Sequence, residues 1–112
     1  MKINYIQEMP VTSNYWVAGD LEEWEIEKLN KLGLDEIWYW YGVGDYEGAG
    51  QLLMRKGEKY DLHDMGHCSC YGPVEEVVFH PQKLKDLKSV CSEDYATECK
   101  PLFQAAMKRL PA

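Results

Sequence analysis

The chain has 112 residues, including four Trp, eight Tyr and four Cys, and a formal net charge of −7. This length predicts one domain, residues 1–112, with a single hydrophobic core of modest size. No apolar run approaches the roughly 20 residues of a membrane span, and the N-terminus lacks the apolar stretch of a signal peptide, so we expect no membrane contact and a cytosolic protein.

The negative charge is concentrated in the first part of the chain. Residues 1–66 carry 13 acidic and 6 basic side chains, a net charge of −7, whereas residues 67–112 carry six of each. An acidic surface disfavours contact with a phosphate backbone, so we expect no direct binding to nucleic acid. It favours a basic partner protein, although net negative charge also keeps small proteins soluble.

The first predicted element is a helix over residues 20–32. Asp20 is suited to the N-cap, Glu23 stands three residues later as in a capping box, and Gly33 suits the position after the helix. The side expected to pack on the core carries Trp24, Leu29 and Leu32. The side expected to face water carries Glu22, Glu25 and Lys28.

Three predicted strands follow as an antiparallel meander, over residues 36–43, 51–55 and 59–64. The glycine-rich segment 44–50 is expected to turn the chain, and a further short strand is expected at 75–79. Trp and Tyr alternate within the first of these strands, so aromatic side chains point to both faces. One face is expected to belong to the core, and the other to the core or to a partner-binding surface.

The remainder of the chain is predicted to be helical. One helix is expected from His80, with Pro81 near its first turn, and another over residues 92–110, which Pro101 should interrupt. The predicted fold class is therefore α+β, with a small antiparallel three- to four-stranded sheet and helices packed on one face.

The four cysteines suggest a metal site. Two form a C-x-C pair in a glycine-flanked loop, and two lie near the ends of predicted helical segments, where a tetrahedral zinc ion could join the sheet to the helices. The predicted ligands of this structural zinc are Cys68, Cys70, Cys91 and Cys99. His63 or His67 could replace one of them, and buried or free thiols are the alternative.

Residues 46–73 end in the sequence HCSCYGP and resemble a segment of small proteins of unknown function from phages and prophages of Gram-positive bacteria. The resemblance covers about a quarter of the chain. It implies that residues 67–73 form a distinct loop, and it carries over no catalytic residue. The small, acidic, single-domain profile is also similar to that of phage anti-CRISPR proteins, which implies an inhibitor acting in the cytoplasm of the bacterial host.

The leading functional hypothesis is a non-enzymatic, phage-encoded inhibitor of a type II CRISPR effector nuclease. Its acidic part would occupy the positively charged guide–target channel and block DNA loading or cleavage. The expected contact residues are Glu22, Glu23, Glu25, Glu27, Asp45 and Glu47. The alternatives are a small metal- or thiol-dependent enzyme using His63, His67 and Cys68, or a phage structural or accessory protein.

Overall fold

The computed structural model describes residues 1–6, 17–18, 21–44, 47–65, 67–68, 74–87 and 99–109. The elements within these ranges are β1 (Lys2–Tyr5), β2 (Val17–Ala18), α1 (Glu23–Lys31), β3 (Glu36–Gly44), β4 (Glu47–Lys56), β5 (Lys59–Asp64), β6 (His67–Cys68), α2 (Leu84–Leu87) and α3 (Lys100–Arg109). They form one sheet with accompanying helices, which confirms the predicted α+β class.

The sheet is mixed, whereas the sequence predicted an antiparallel one. Its main strands are ordered β1-β3-β4-β5, and β2 pairs with β3 beyond the end of β1. The β3–β4 and β4–β5 pairs are antiparallel, but β1 runs parallel to the first half of β3. Parallel strands need a crossover connection, and the connection from β1 to β3 includes α1.

The β3–β4 hairpin is longer than predicted, because its strands continue into the glycine-rich segment. Gly42 pairs with Ala49 and Gly44 with Glu47, so the turn falls between Gly44 and Glu47. At Gly50 the backbones of the two strands approach closely. A Cβ atom there would stand 2.3 Å from the Trp40 carbonyl oxygen, so only glycine fits without a backbone shift.

The chain after β5 continues along β4 towards the C-x-C segment. The Met65 N–H donates to the Gly50 carbonyl at 2.9 Å, and β6 then pairs His67 with Gly48 in the register that β5 established. The predicted loop at residues 67–73 therefore begins with a short strand. Residues 69–73 lie outside the described residues.

Both faces of the sheet are covered, whereas the sequence predicted helices on one face. The core on one face includes α1 and the segment after Val74, and its buried residues are Leu21, Leu29, Leu34, Ile37, Tyr39, Tyr41, Leu52, Met54, Met65, Val74 and Val77. The core on the other face includes α2 and α3, and its buried residues are Trp38, Trp40, Leu53, Tyr60, Leu87, Cys99, Leu102, Phe103 and Ala106. A central strand that is apolar on both faces requires this double covering. The aromatic run is therefore core on both sides.

The segment after the C-x-C loop differs from its prediction. Residues 74–76 form a turn and the expected strand at 75–79 is absent from the described structure. The buried Asp61 carboxylate fixes the residues after this turn instead, because it accepts hydrogen bonds from the His80 N–H at 2.7 Å and from Gln82 Nε2 at 2.9 Å.

Pro101 lies in the first turn of α3, where its missing N–H removes no helical hydrogen bond.

Candidate functional site

The beginning of α1 presents an acidic surface with an exposed tryptophan at its centre. Glu22, Glu23, Trp24 and Glu27 line a shallow depression of about 470 Å³. Trp24 is 47% exposed and is the one aromatic side chain among the exposed large hydrophobic residues of the described ranges. We call these four residues the Trp24 surface.

The indole ring of Trp24 is held in place by its neighbours. Its Nε1–H donates to Glu22 Oε2 at 2.6 Å. The Glu22 N–H in turn donates to Glu25 Oε1 at 2.8 Å, in a capping box at the start of α1. A tryptophan fixed before binding loses little side-chain entropy when a partner covers it, so Trp24 is suited to anchor an interface.

The carboxylates of the Trp24 surface are available to a cation from another molecule. Within the described part of the chain, no lysine, arginine or histidine forms an ion pair with Glu22, Glu23 or Glu27. Glu22 at the N-cap and Glu23 in the first turn are favourably placed, because the helix dipole stabilises acids there by about 0.3–1 kcal/mol each. A cationic side chain of another protein would complement these carboxylates and could stack on the Trp24 ring.

The structure brings together three of the six predicted contact residues. Glu22, Glu23 and Glu27 are exposed and share the Trp24 surface. Asp45 lies outside the described residues, and of Glu47 the structure describes only the backbone. The expectation that Glu25 faces water is wrong, because this side chain is 3% exposed.

Glu25 and Trp24 exchange the positions that the sequence predicted for them. The buried residues of α1 are Glu25 and Leu29, four residues apart, and Leu21 is buried just before the helix, whereas Trp24 is exposed. The helix begins at Glu23 with Glu22 as its N-cap, two residues later than predicted from Asp20, so the capping box uses Glu25. Gly33 follows the helix as predicted, with φ +77°.

The buried carboxylate of Glu25 also affects a tyrosine of the sheet. Burial, and then the negative charges of Glu25 and Glu22, raise the pKa of Tyr41 to about 12. The phenol of Tyr41 therefore keeps its proton in the folded protein at a pH where an exposed tyrosine would lose it.

This raised pKa predicts a loss of stability in alkali. Below pH 10 Tyr41 is protonated in both the folded and the unfolded chain, so it adds no pH dependence. As the pH rises from 10 towards 12, the unfolded chain loses this proton more readily than the folded chain, and the free energy of unfolding should fall by roughly 1–2 kcal/mol once screening by solvent is allowed for. Urea titrations of the parent and of Tyr41→Phe test this. The decline should be steeper in the parent, and equal slopes would contradict the assignment.

The predicted zinc ligands are only partly described. Cys99 is buried at the start of α3 and is disulfide-bonded, and its partner sulfur lies outside the described side chains. Cys70 and Cys91 lie outside the described residues, and only the backbone of Cys68 is described. A sulfur in a disulfide is not a thiolate, so the four-cysteine site fits only the reduced chain. Among the described residues no group of three or more His, Cys, Asp or Glu side chains could hold a metal.

Comparisons with protein-family models, with curated proteins and with solved structures each found no match. Within the described ranges, no helix has the length and apolar character needed to cross a membrane.

Proposed function

We propose that the protein is a phage-encoded, anti-CRISPR-like inhibitor that binds a type II CRISPR effector nuclease through the Trp24 surface. The observation that carries this proposal is a hydrogen-bonded, exposed tryptophan surrounded by carboxylates that lack an ion-pair partner in the described structure. The class of partner comes from the resemblance of residues 46–73 to phage proteins and from the acidic, single-domain profile.

Inhibition would follow from competition for positive charge. The channel that holds the guide–target duplex is lined with basic residues that contact phosphates. Glu22, Glu23 and Glu27 would take the place of those phosphates, and Trp24 would supply the apolar anchor that phosphates lack. The proposed role needs no chemistry from the protein and no contact with nucleic acid, and it places the protein in the cytoplasm of the bacterial host.

The proposed function includes a structural zinc ion, which the chain would bind only when its cysteines are reduced. When the Cys99 disulfide is reduced, Cys68, Cys70, Cys91 and Cys99 would provide four thiolates that connect the sheet to α3. Protein purified under reducing conditions should then contain about one zinc ion per chain, and chelation should lower its melting temperature sharply. Elemental analysis finding no metal, with four thiols titrating in the reduced folded protein, would exclude the site.

The proposed function is tested by capture and by inhibition. Tagged protein expressed in bacteria that carry a type II CRISPR effector should retain that effector on the affinity resin. The purified protein should also block DNA cleavage by the effector, and Trp24→Ala should weaken both effects. Cleavage that continues unchanged at saturating protein, with no effector captured, would reject the proposal.

A further inference from the structure

A second recess lies on the other side of the molecule, between the edge strand β1 and the helix α3. Its volume is about 620 Å³, within the range of about 300–1,000 Å³ typical of small-molecule sites. The residues that matter for its chemistry are Lys2, Asn4, Ile6, Glu36, Ala105 and Lys108. We call it the β1–α3 groove.

The groove exists because α3 covers the sheet only in part. The buried row of α3, which contains Leu102, Phe103 and Ala106, belongs to the core that includes Trp38. The neighbouring side of the helix borders the groove with Pro101, Gln104, Ala105 and Lys108, spaced by three and four residues as on one helix face. The strip of sheet between this side and β1 therefore remains open.

The polar floor of the groove is already neutralised. The Glu36 side chain is 2% exposed, and Arg55 Nη2 lies 3.4 Å from its Oε1. Asn4 Nδ2 donates to Glu36 Oε2 at 2.9 Å, and Lys2 Nζ lies 3.9 Å from the same oxygen. Arg55 also contacts Asp35 at 3.6 Å, so Lys2 and Arg55 together compensate the carboxylates of Glu36 and Asp35.

Positive charge instead remains at the mouth of the groove. The Lys2 side chain is 69% exposed, and Lys108 on the opposite wall is also exposed. Counting Lys2, Arg55 and Lys108 against Glu36 and Asp35 gives a local formal charge of +1, in a chain whose net charge is −7. The wall between them is apolar, with Ala105 partly exposed to the recess.

We propose that the β1–α3 groove binds a small organic anion, with its carboxylate or phosphate between Lys2 and Lys108. Its apolar body lies against Ile6 and Ala105, which are partly exposed and line the recess. Lys2 on β1 and Lys108 on α3 both line the recess and supply its cationic contacts, and the apolar wall excludes water from the remainder of the ligand. This proposal is independent of the Trp24 surface and of inhibition.

The test is a titration of isotope-labelled protein followed by nuclear magnetic resonance. The probes are benzoate, phenyl phosphate and benzylamine, which share an aromatic ring and differ in charge. Either anion should shift the side-chain amide signals of Asn4 and Gln104, and the stronger of the two identifies the preferred group. Benzylamine should leave both signals in place. Shifts with benzylamine alone, or with none of the probes, would overturn the proposal.

Two double variants distinguish binding at the groove from an effect of the overall charge. Lys2→Glu with Lys108→Glu should weaken anion binding about tenfold or more, since it removes both cationic contacts. Lys31→Glu with Lys59→Glu makes the same change in net charge at exposed positions elsewhere and should bind as the parent does. Equal weakening by both pairs would show a general charge effect and contradict a site.

Ala105→Phe provides an independent check. Ala105 lines the groove and is not fully buried, so a phenyl ring there can occupy the recess without entering the core. Anion binding should be lost while the melting temperature stays close to that of the parent. A variant that keeps the melting temperature and binds the anions as the parent does would place the ligand outside the groove.

Discussion

Replacing Glu22, Glu23 and Glu27 by lysine is expected to slow association with the proposed basic partner by about tenfold to a hundredfold at low salt. The three carboxylates lie together at an exposed helix end, so reversing them turns attraction during the encounter into repulsion. Rising salt should reduce the difference between variant and parent, because the charges are screened over about 8 Å at physiological ionic strength. Stopped-flow association rates measured over a series of salt concentrations test this.

The control for this variant reverses three exposed acids in other places. Glu58, Glu76 and Asp86 replaced by lysine give the same net charge, −1 in place of −7. Lysines at the start of α1 oppose the helix dipole, so the first variant should also lose about 1–2 kcal/mol of stability, which circular dichroism and urea titration can measure. If the two variants associate at the same rate, the acidity acts through overall charge and the Trp24 surface is not the contact.

Gly50→Ala is expected to destabilise the fold by about 3 kcal/mol or more, although it adds a single methyl group. The added Cβ would meet the Trp40 carbonyl oxygen at 2.3 Å, and this atom belongs to the neighbouring strand backbone at the centre of the sheet. The clash can be relieved only by separating β3 from β4, which would disturb the aromatic core on both faces. Urea unfolding gives the free energy directly.

Gly57→Ala is the matched comparison. Gly57 has φ +63°, but an added Cβ would meet no atom within 4 Å. Its cost should therefore be only the left-handed backbone strain of about 1–2 kcal/mol. A Gly50 variant no less stable than the Gly57 variant would mean that the two strands do not approach as closely as the structure shows.

The central strands were predictable because their signal is local. Aromatic and β-branched residues fill 36–43, and Gly57 at positive φ provides the turn between β4 and β5. The extent of the hairpin was not predictable from composition, because Gly48 and Gly50 look like loop residues until their cross-strand partners are known. At Gly50 the glycine is required by the close approach of a strand.

Tertiary contacts determine that residues 2–5 form a strand and which side of α1 is buried, so neither feature could be predicted from the local sequence. β1 is four residues long, and only its parallel pairing with β3 makes it a strand. In α1 the local pattern placed Trp24 inside and Glu25 outside, since an indole is apolar and a carboxylate is charged. The capping box reversed this, because it gives the Glu25 carboxylate a backbone N–H to bind in a buried position.

The negative charge of the candidate site was therefore predictable from the sequence, but the exposed tryptophan at its centre was not. The acids of the first part of the chain pointed to Glu22, Glu23 and Glu27, and these three share one surface. The sequence predicts Trp24 on the buried side of the helix with Leu29 and Leu32, because all three side chains are apolar. The local pattern could not exclude Trp24 from the core, because Trp24 stands three residues after Leu21 and so at a spacing typical of one helix face.

The most direct test of the proposed interface is site-specific photocrosslinking in bacteria that carry a type II CRISPR effector. A photoreactive phenylalanine analogue replaces Trp24 in one variant and Val78, which is 54% exposed, in a control variant. After irradiation, the variant labelled at Trp24 should form a covalent adduct with the effector nuclease, identified by mass spectrometry, and the variant labelled at Val78 should not. An effector adduct at Val78 with none at Trp24, or no effector adduct at either position, would contradict binding through the Trp24 surface.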